Sequence, residues 1–482
     1  MGTFYLQNFG CRATQADGAA LERQMLERGL ERVAAAEDAG VVVLNTYTVT
    51  ESADRDVRAA IRRIHRENPE CRILVTGCYA QRAPQELAAL PGVDWVVGNS
   101  HKHQVAELAA PPRNGFVPVN MLSAFADHPI PRSPDPRILV GDVFAFAHTE
   151  LLAAPVFAAE TGSEKTRPNL KVQDGCDNRC SFCIIPAVRG QSRSLGRAEA
   201  LREVRALVAA GYREVVLSGI NLGRWGRDLP KAERFEELVR AILRETELEK
   251  LRLSSVEPMD WTDGLIELVA SEPRIAKHAH LPLQSGSDRI LRAMHRKYRP
   301  WHYRERVEKI HRAMPRAAIG ADVMVGFPGE TDALFEESRV FIASLPFTYL
   351  HVFTYSTRPG TPSAVMPGQL PVQVARKRNR ILRELAARKN QAFRESLVGQ
   401  ALEAITLARG DGESTEALTD NYLKLRLAGS HGANRWLTVR VAGITTQGLA
   451  AYADRPEEKA YRRERGGSAE AAGKPAGALP VL

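Results

Sequence analysis

Six cysteines stand at positions 11, 71, 78, 176, 180 and 183, and three of them crowd into one short stretch. That stretch, Gly175-Cys176-Asp177-Asn178-Arg179-Cys180-Ser181-Phe182-Cys183, is a Cys-x-x-x-Cys-x-x-Cys directly after a run that reads as a strand. Three thiolates on one loop suit three irons of a cubane 4Fe-4S cluster, which ordinarily takes four Cys ligands. One iron is then left open, and an open coordination position is where a metal centre meets a substrate. A zinc knuckle is the competing use of such thiols. It wants a fourth Cys or His at short spacing, whereas Cys71 and Cys78 lie about a hundred residues upstream in a segment of different pattern.

Strands must hold such a loop, and the chain alternates short apolar runs with amphipathic stretches in two series. In the first, strands are expected at Thr3 to Phe9, Val41 to Asn45, Arg72 to Thr76 and Trp95 to Val97. Helices are expected over Gln15 to Arg28, Glu51 to Arg66 and Pro84 to Leu90. This predicts a doubly wound parallel-sheet domain over residues 1–113. Ligands of such sheets gather beyond the carboxyl ends of the strands, where Cys11, Tyr47 and Cys78 fall in equivalent places. The Pro-rich stretch 114–161 reads as a linker with some packed pieces. Over 162–392 the strands expected are Leu170 to Gln173, Glu214 to Leu217, Leu251 to Ser255, Ala279 to Leu283, Ala321 to Val325 and Leu350 to Tyr355. Six βα units predict a partial (β/α)6 barrel, short of the eight that close and open on one side for a large substrate. Short strands at Ala404 to Ala408, Tyr422 to Arg426 and Leu437 to Ala442 predict a small β-barrel over 393–455, and 456–482 reads as a disordered tail. The expected fold class is α/β and multidomain.

Flanking residues narrow the chemistry. Cys183-Ile184-Ile185-Pro186, followed by Arg189-Gly190-Gln191-Ser192-Arg193-Ser194, resembles the methylthiotransferase branch of the radical S-adenosylmethionine (SAM) superfamily. So do Leu281-Pro282-Leu283-Gln284-Ser285-Gly286-Ser287, Val325-Gly326-Phe327-Pro328-Gly329-Glu330-Thr331 and Tyr355-Ser356-Thr357-Arg358-Pro359-Gly360-Thr361. The resemblance runs from residue 1 to about 455 and implies a cluster-binding N-terminal domain, a radical core and a C-terminal TRAM barrel. It implies SAM chelated at the open iron of a cluster on Cys176, Cys180 and Cys183 and cleaved to a 5′-deoxyadenosyl radical, with the protein supplying orientation and exclusion of water. Expected cofactor contacts are Gly219, where backbone can approach the methionyl amino group, and Gln284, Ser285 and Asp322 on the same rim. Val325 to Pro328 would pack around the adenine. Each of these positions also suits an ordinary turn or cap. Arg189 and Arg193 are candidates for touching the cofactor or an RNA phosphate, with a solvated surface as the alternative.

Members of that family carry a second cluster on three N-terminal cysteines, implicated as source or carrier of the inserted sulfur. Here Asn8-Phe9-Gly10-Cys11-Arg12 matches the first position and Thr76-Gly77-Cys78-Tyr79-Ala80-Gln81 the third. The middle motif reads Asn45-Thr46-Tyr47-Thr48-Val49-Thr50, with tyrosine where the family has cysteine. A phenolate can ligate iron, but Tyr is much longer than Cys. Cys71 lies a strand's length from that site, roughly 15–20 Å at ~3.3 Å per residue, and reads as an ordinary small residue. Three alternatives stand for Cys11 and Cys78: ligands of an altered cluster, ligands completed by a partner or substrate, or vestigial thiols in a chain that has lost sulfur transfer. A bound but unusual second 4Fe-4S cluster is the preferred expectation.

The resemblance implies adenosine 37 of tRNA or a ribosomal-protein side chain as substrate. Adenine C2 bears an unactivated C–H, so a radical route is chemically sensible there. Thr48-Val49-Thr50-Glu51-Ser52-Ala53-Asp54-Arg55-Asp56-Val57-Arg58 and Val172-Gln173-Asp174-Gly175-Cys176 look most like the subgroup that modifies N6-threonylcarbamoyladenosine. Isopentenyladenosine 37 and a ribosomal protein are the alternative substrates. A tRNA-binding relative without sulfur insertion is the rival from another class, raised by Tyr47.

Charge agrees with an RNA partner. Lys and Arg number 66 against 57 Asp and Glu, a net of +9 over 482 residues, which favours a polyanion whose phosphates would dominate affinity. In the terminal barrel, Asn421-Tyr422-Leu423-Lys424 and Arg435-Trp436 offer aromatics for base stacking, or for its core. With 44% hydrophobic and 26% charged residues the chain is neither collagen-like nor wholly disordered. No apolar run reaches the roughly 18–20 residues of a membrane span, and no basic-then-apolar leader opens the chain. Six thiols make no dense disulfide framework. The expected setting is the reducing cytoplasm, with tRNA (through its anticodon loop) and an electron-donor protein as partners of a monomer.

Overall fold

The structure, a computed structural model, describes residues 2–110, 135, 137–145, 166–446 and 448–454. The first domain is a six-stranded parallel sheet in the order β2-β1-β3-β4-β5-β6, formed by β1 (Thr3–Asn8), β2 (Glu31–Arg32), β3 (Val41–Thr46), β4 (Arg72–Gly77), β5 (Val93–Val97) and β6 (Ile138–Leu139). Every residue of β3 is buried, as a parallel strand covered on both faces requires. Val42 and Leu44 pack with Val57, Ile61 and Ile64 of helix Glu51–Glu67. Val41 and Val43 face the other way, toward Leu21 and Met25 of helix Arg12–Glu27. β6 falls inside the stretch expected to be linker and forms an edge of this sheet. Apart from residues 135, 137 and 140–145, the rest of that stretch and the tail 456–482 lie outside the described residues.

The core follows with β7 (Asn169–Asp174), β8 (Arg193–Ser194), β9 (Glu214–Gly219), β10 (Lys250–Leu253), β11 (His278–His280), β12 (Ala318–Val325) and β13 (Tyr349–Thr354). They form two sheets, β10-β9-β7-β8 and β11-β12-β13. An isolated bridge from Leu251 to Ile275 and the bond from Val256 N to His280 O join them. Among the described residues β13 does not pair with β7, so the barrel is open there. β11 stops short of the expected Leu283: Pro282 has no N–H to donate, and Gln284 has φ +65°. Helix Val372–Glu395 clasps β13 through Asn379 Nδ2 to Val352 O (3.0 Å) and Asn390 Nδ2 to Thr348 O (2.9 Å).

A closed five-stranded barrel ends the described chain: β14 (Ala401–Gly410), β15 (Ser414–Thr419), β16 (Lys424–Ala428), β17 (Trp436–Thr445) and β18 (Gly448–Ala453). It docks on the amino ends of the core strands, with Lys250 Nζ on Glu403 (2.9 Å), Arg252 on the carbonyls of Thr419 and Asp420, and Asn434 on Gly211 O (2.7 Å). This docking corrects the base-stacking expectation. The Tyr422 ring turns inward among Arg12, Arg252, His278 and Tyr349, and its hydroxyl accepts from Arg12 at 3.0 Å. Trp436 lies beneath the Lys250 ammonium, 4.9 Å from its centroid. Among the described residues no helix is long and apolar enough to cross a membrane.

One ionic cluster locks the first domain to the core. Asp17 accepts from Lys102 (2.9 Å), Arg189 (3.0 Å) and Lys171, and Asp174 accepts from Lys171 (2.7 Å) and Arg189 (2.9 Å). All five side chains are buried. Burial pushes both carboxyls up, yet the cations outweigh it and leave both well below the usual carboxylate range. A depressed pKa of this kind gives stability that is complete at neutral pH and lost only in acid. Arg189 is therefore an internal strut, which corrects its expectation as a cofactor or phosphate ligand. Arg193 lies half-buried, 3.9 Å from Asp174. Asp17→Ala removes the countercharge of three buried cations and is expected to destabilise the protein by about 3–5 kcal/mol, read as a lower urea midpoint. A loss below about 1 kcal/mol, the size of an exposed pair, would contradict the arrangement.

Candidate active site

The three-thiol loop begins where β7 ends, at a residue that has to be glycine. Gly175 has φ +68°, and a Cβ there would sit 1.8 Å from Gln191 O. Its N–H donates to Asp174 Oδ1 at 2.8 Å, so the ionic cluster also sets the loop's starting direction. Cys176 N donates to Gly190 O (3.1 Å), and Cys183 N to Cys180 O (3.1 Å). Ser181 anchors the far side through its N–H to Met294 O, its hydroxyl to Ala293 O and its carbonyl to Ser363 N. Phe182 packs with Phe327, Met294 and Tyr355. The Phe327 side chain thus buttresses the loop instead of lying free for an adenine.

Cys176, Cys180 and Cys183 are free and half-buried. Donors aim at their sulfurs: Asn178 N (3.4 Å) and Asn221 Nδ2 (3.7 Å) at Cys176, and Arg296 NH1 (3.2 Å) at Cys180. Burial, and then the neighbouring Cys180 and Cys176, push the Cys183 thiol up to about 12. Three thiols that feel one another, supplied with N–H donors and a guanidinium, suit an anionic cluster whose sulfurs accept hydrogen bonds. Among the described residues no three Cys, His, Asp or Glu side chains converge on one metal-ion position.

Gln173 carries the neighbouring strand ends. Fully buried, it accepts from Asn221 N (2.7 Å) and donates to the carbonyls of Asp174 and Gly175 and to Ser192 Oγ, all at 2.9 Å. A Cβ on Gly219 would lie 3.0 Å from Gln173 Oε1, so glycine lets β9 approach β7 at the rim. Gln284 N donates to Asp322 O (2.8 Å), which brings those two together. Asp322 lies 3.4 Å from His280 Nε2, while His280 Nδ1 meets Ser255 Oγ at 2.7 Å. Ser285 is placed differently. It is fully buried, with its hydroxyl 3.4 Å from Ser338 Oγ and accepting from Ser287 N, so it shapes the turn and does not reach the rim.

Opposite stand the N-terminal residues. Cys11 precedes helix Arg12–Glu27, 3.5 Å from Thr14 Oγ1, and Cys78 opens the helix after β4, accepting from Asn99 Nδ2 at 3.6 Å. Cys78 is fully buried against Ile184 and Val188, immediately after the three-thiol loop. Tyr47 lies against Gly10 so closely that a Cβ there would be 2.5 Å from the tyrosine Cβ and Cγ. Burial, followed by the thiols of Cys11, Cys78 and Cys183 and the Asp322 carboxylate, raises its phenol well above the ordinary value. The tyrosine therefore faces both groups of thiols. Cys71 belongs to the hydrophobic core beside Ile73 and Val75.

Two family models match the chain, the Uncharacterized protein family UPF0004 over residues 3–98 and the Radical SAM superfamily over residues 170–342. Threonylcarbamoyladenosine tRNA methylthiotransferase MtaB of Aquifex aeolicus is 36% identical over 423 residues, 88% of this chain and 96% of the relative. The chain belongs to the radical SAM methylthiotransferases. The MtaB protein of Bacillus subtilis is likewise 36% identical over 89% of this chain and 91% of its own. A tRNA-2-methylthio-N(6)-dimethylallyladenosine synthase of Sphingopyxis alaskensis is 34% identical over 85% and 88%. Among solved structures, the radical S-adenosylmethionine methyltransferase TsrM of Kitasatospora setae shares the fold, with TM-score 0.56 over 76% of this chain and 75% of that one at 15% identity.

Local pattern did not reveal Gln173, Asn221 or Arg296 as supports of this site. Arg296 is the least legible, since it reaches Cys180 from beyond helix Asp288–Ala293 and is held there by Glu257 and Tyr298. Gly175→Ala is expected to cut iron bound after anaerobic reconstitution by at least half, with loss of the cluster's visible absorbance. Full iron content would contradict the steric argument.

Proposed function

We propose that this chain is a tRNA methylthiotransferase that places a methylthio group on C2 of N6-threonylcarbamoyladenosine at position 37. The observation that carries the reading is the three-thiol loop with its sulfur donors, set at the mouth of an open barrel and facing Cys11 and Cys78 of the first domain. Relatives at 36% identity bear the corresponding name. The dimethylallyladenosine relative at 34% makes isopentenyladenosine 37 the competing substrate.

Cys176, Cys180 and Cys183 would hold a 4Fe-4S cluster. With SAM bound, that centre supplies the electron and the radical needed to break an unactivated C–H bond. The chain's own residues do the positioning. Arg296 and Asn221 temper the negative charge on the thiolates, Gln173 keeps the ends of β7 and β9 in step, and Gly219, Gln284 and Asp322 line the rim for the methionyl and ribose groups. Among the described residues the edge strands β8 and β13 do not pair with each other, which leaves the barrel unclosed on the side assigned to the anticodon loop. The first domain, whose helix Arg12–Glu27 meets β7 through Asp17 and Lys171, covers the site from water. An electron-donor protein reduces the enzyme, which works as a monomer in the cytoplasm.

The N-terminal site is a partial fit to the cluster that the family resemblance implies. Two thiols beside buried cations suit an anionic cluster, since Cys78 and Cys11 are among the charges that raise Arg189. The third thiol is absent, and the Tyr47 ring takes up its space. We infer a second 4Fe-4S cluster on Cys11 and Cys78, held by one thiolate fewer than in the relatives and therefore more loosely.

Anaerobic reconstitution is expected to give about seven to eight irons per chain, four per cubane, with Tyr47→Cys slowing iron loss to a chelator. About four irons in both proteins would remove the second cluster. Cys180→Ala is expected to abolish SAM cleavage and modification of tRNA together, and retained cleavage would refute the ligand assignment.

A further inference from the structure

Helix Val372–Glu395 carries eight Lys and Arg against two Glu, a net of +6 in a chain whose total is +9. Two of these cations face inward. Arg378 pairs with Glu330 and Asp332, each at 2.7 Å, and Lys389 donates to the carbonyls of Ala343 and Leu345. Arg376, Lys377, Arg380, Arg383 and Arg388 are exposed. Of these, Arg376, Arg380, Arg383 and Arg388 have no ion pair or hydrogen bond among the described residues. Several cations elsewhere on the core surface are matched, since Arg306 and Lys309 share Asp263, Arg304 meets Glu308, and Arg339 meets Glu336, whereas the terminal helix gathers its unmatched ones on a single element. The terminal helix thus presents charge that the fold does not use.

Its placement gives that charge a direction. Arg376, Arg380 and Arg383 follow i, i+4, i+7 spacing and lie along one line of the helix. At the amino end Ala375 packs on Gly326, where a Cβ would be 2.6 Å from the alanine Cβ, and Arg378 holds Glu330, so this end stands at the catalytic rim. At the other end Phe393 packs into the core of the terminal barrel. With 24 residues at ~1.5 Å each the helix spans about 36 Å. The line of three arginines covers about 10 Å of that length at the rim end, with Arg388 farther toward the barrel.

We propose that this face binds the phosphate backbone of the tRNA substrate, beyond the nucleoside that enters the site. The proposal rests on the tRNA reading above. RNA is favoured over other anions because evenly spaced, unpaired guanidiniums match a linear array of phosphates, and each phosphate they neutralise releases a counterion. The test is fluorescence anisotropy of labelled tRNA across a salt series, comparing wild type with R376Q/R380Q/R383Q. Glutamine keeps the helix propensity. The triple variant is expected to bind about tenfold or more weakly near physiological salt, with the slope of log K against log[salt] reduced by about two to three. Dithionite-driven SAM cleavage without tRNA should stay within twofold of wild type, which reports an intact fold and core. Unchanged tRNA affinity and slope would overturn the proposal. So would normal tRNA affinity combined with lost turnover on a protein reductant, which would assign the face to an acidic redox partner. A wild-type protein without salt-dependent tRNA affinity would instead refute the tRNA reading itself, since both proteins would then fail alike.

Discussion

Burying Asp17, Asp174, Lys102, Lys171 and Arg189 together is the constraint on which the rest of the molecule depends. Exposed ion pairs contribute at most about 1 kcal/mol, whereas a buried charge stripped of its partner costs several. The two domains therefore cannot shift relative to each other without exposing or orphaning charge. Asp174 carries the constraint into the chemistry, because the same carboxylate that accepts from Lys171 and Arg189 accepts from the Gly175 N–H. A second tie lies farther along the interface, where Arg358 reaches Asp54, itself held by Thr48 and Arg82.

Fixed this way, the two groups of thiols are held near each other at the domain interface. Cys78 packs on residues that directly follow Cys183, and Tyr47 feels the thiols of both domains. The open barrel beneath is not a void. Arg252 and Glu214 pair inside it, with His278, Tyr349 and Tyr422 stacked below Asp322 and His280. A polar, filled lumen suits an enzyme that admits its substrate at the rim only.

Much of this was legible in the residues themselves. The alternation of apolar runs located the central strands of both sheets because fully covered parallel strands are continuously apolar, as β3 is. The three-thiol loop was readable because thiolate chemistry demands both residue type and spacing. Strands β15 and β18 were not legible because the Ser- and Thr-containing first and the Ala-rich second lack a strong apolar/polar alternation. The fate of Arg189, Ser285 and Tyr422 was hidden for a different reason. Each is fixed by residues far away in sequence: Asp17 for the arginine, Ser338 for the serine and Arg12 for the tyrosine. Tyr47 was the exception, a single substitution whose type alone announced an altered site and whose contact with Gly10 shows where the ring went.

The central claim is that this chain inserts sulfur into tRNA despite Tyr47. Its most direct test is mass spectrometry of tRNA nucleosides from a strain lacking the gene, with and without this protein supplied. The account predicts that 2-methylthio-N6-threonylcarbamoyladenosine appears only when the protein is present, at the expense of its unthiolated precursor. Identical 2-methylthio content in the two strains would contradict it.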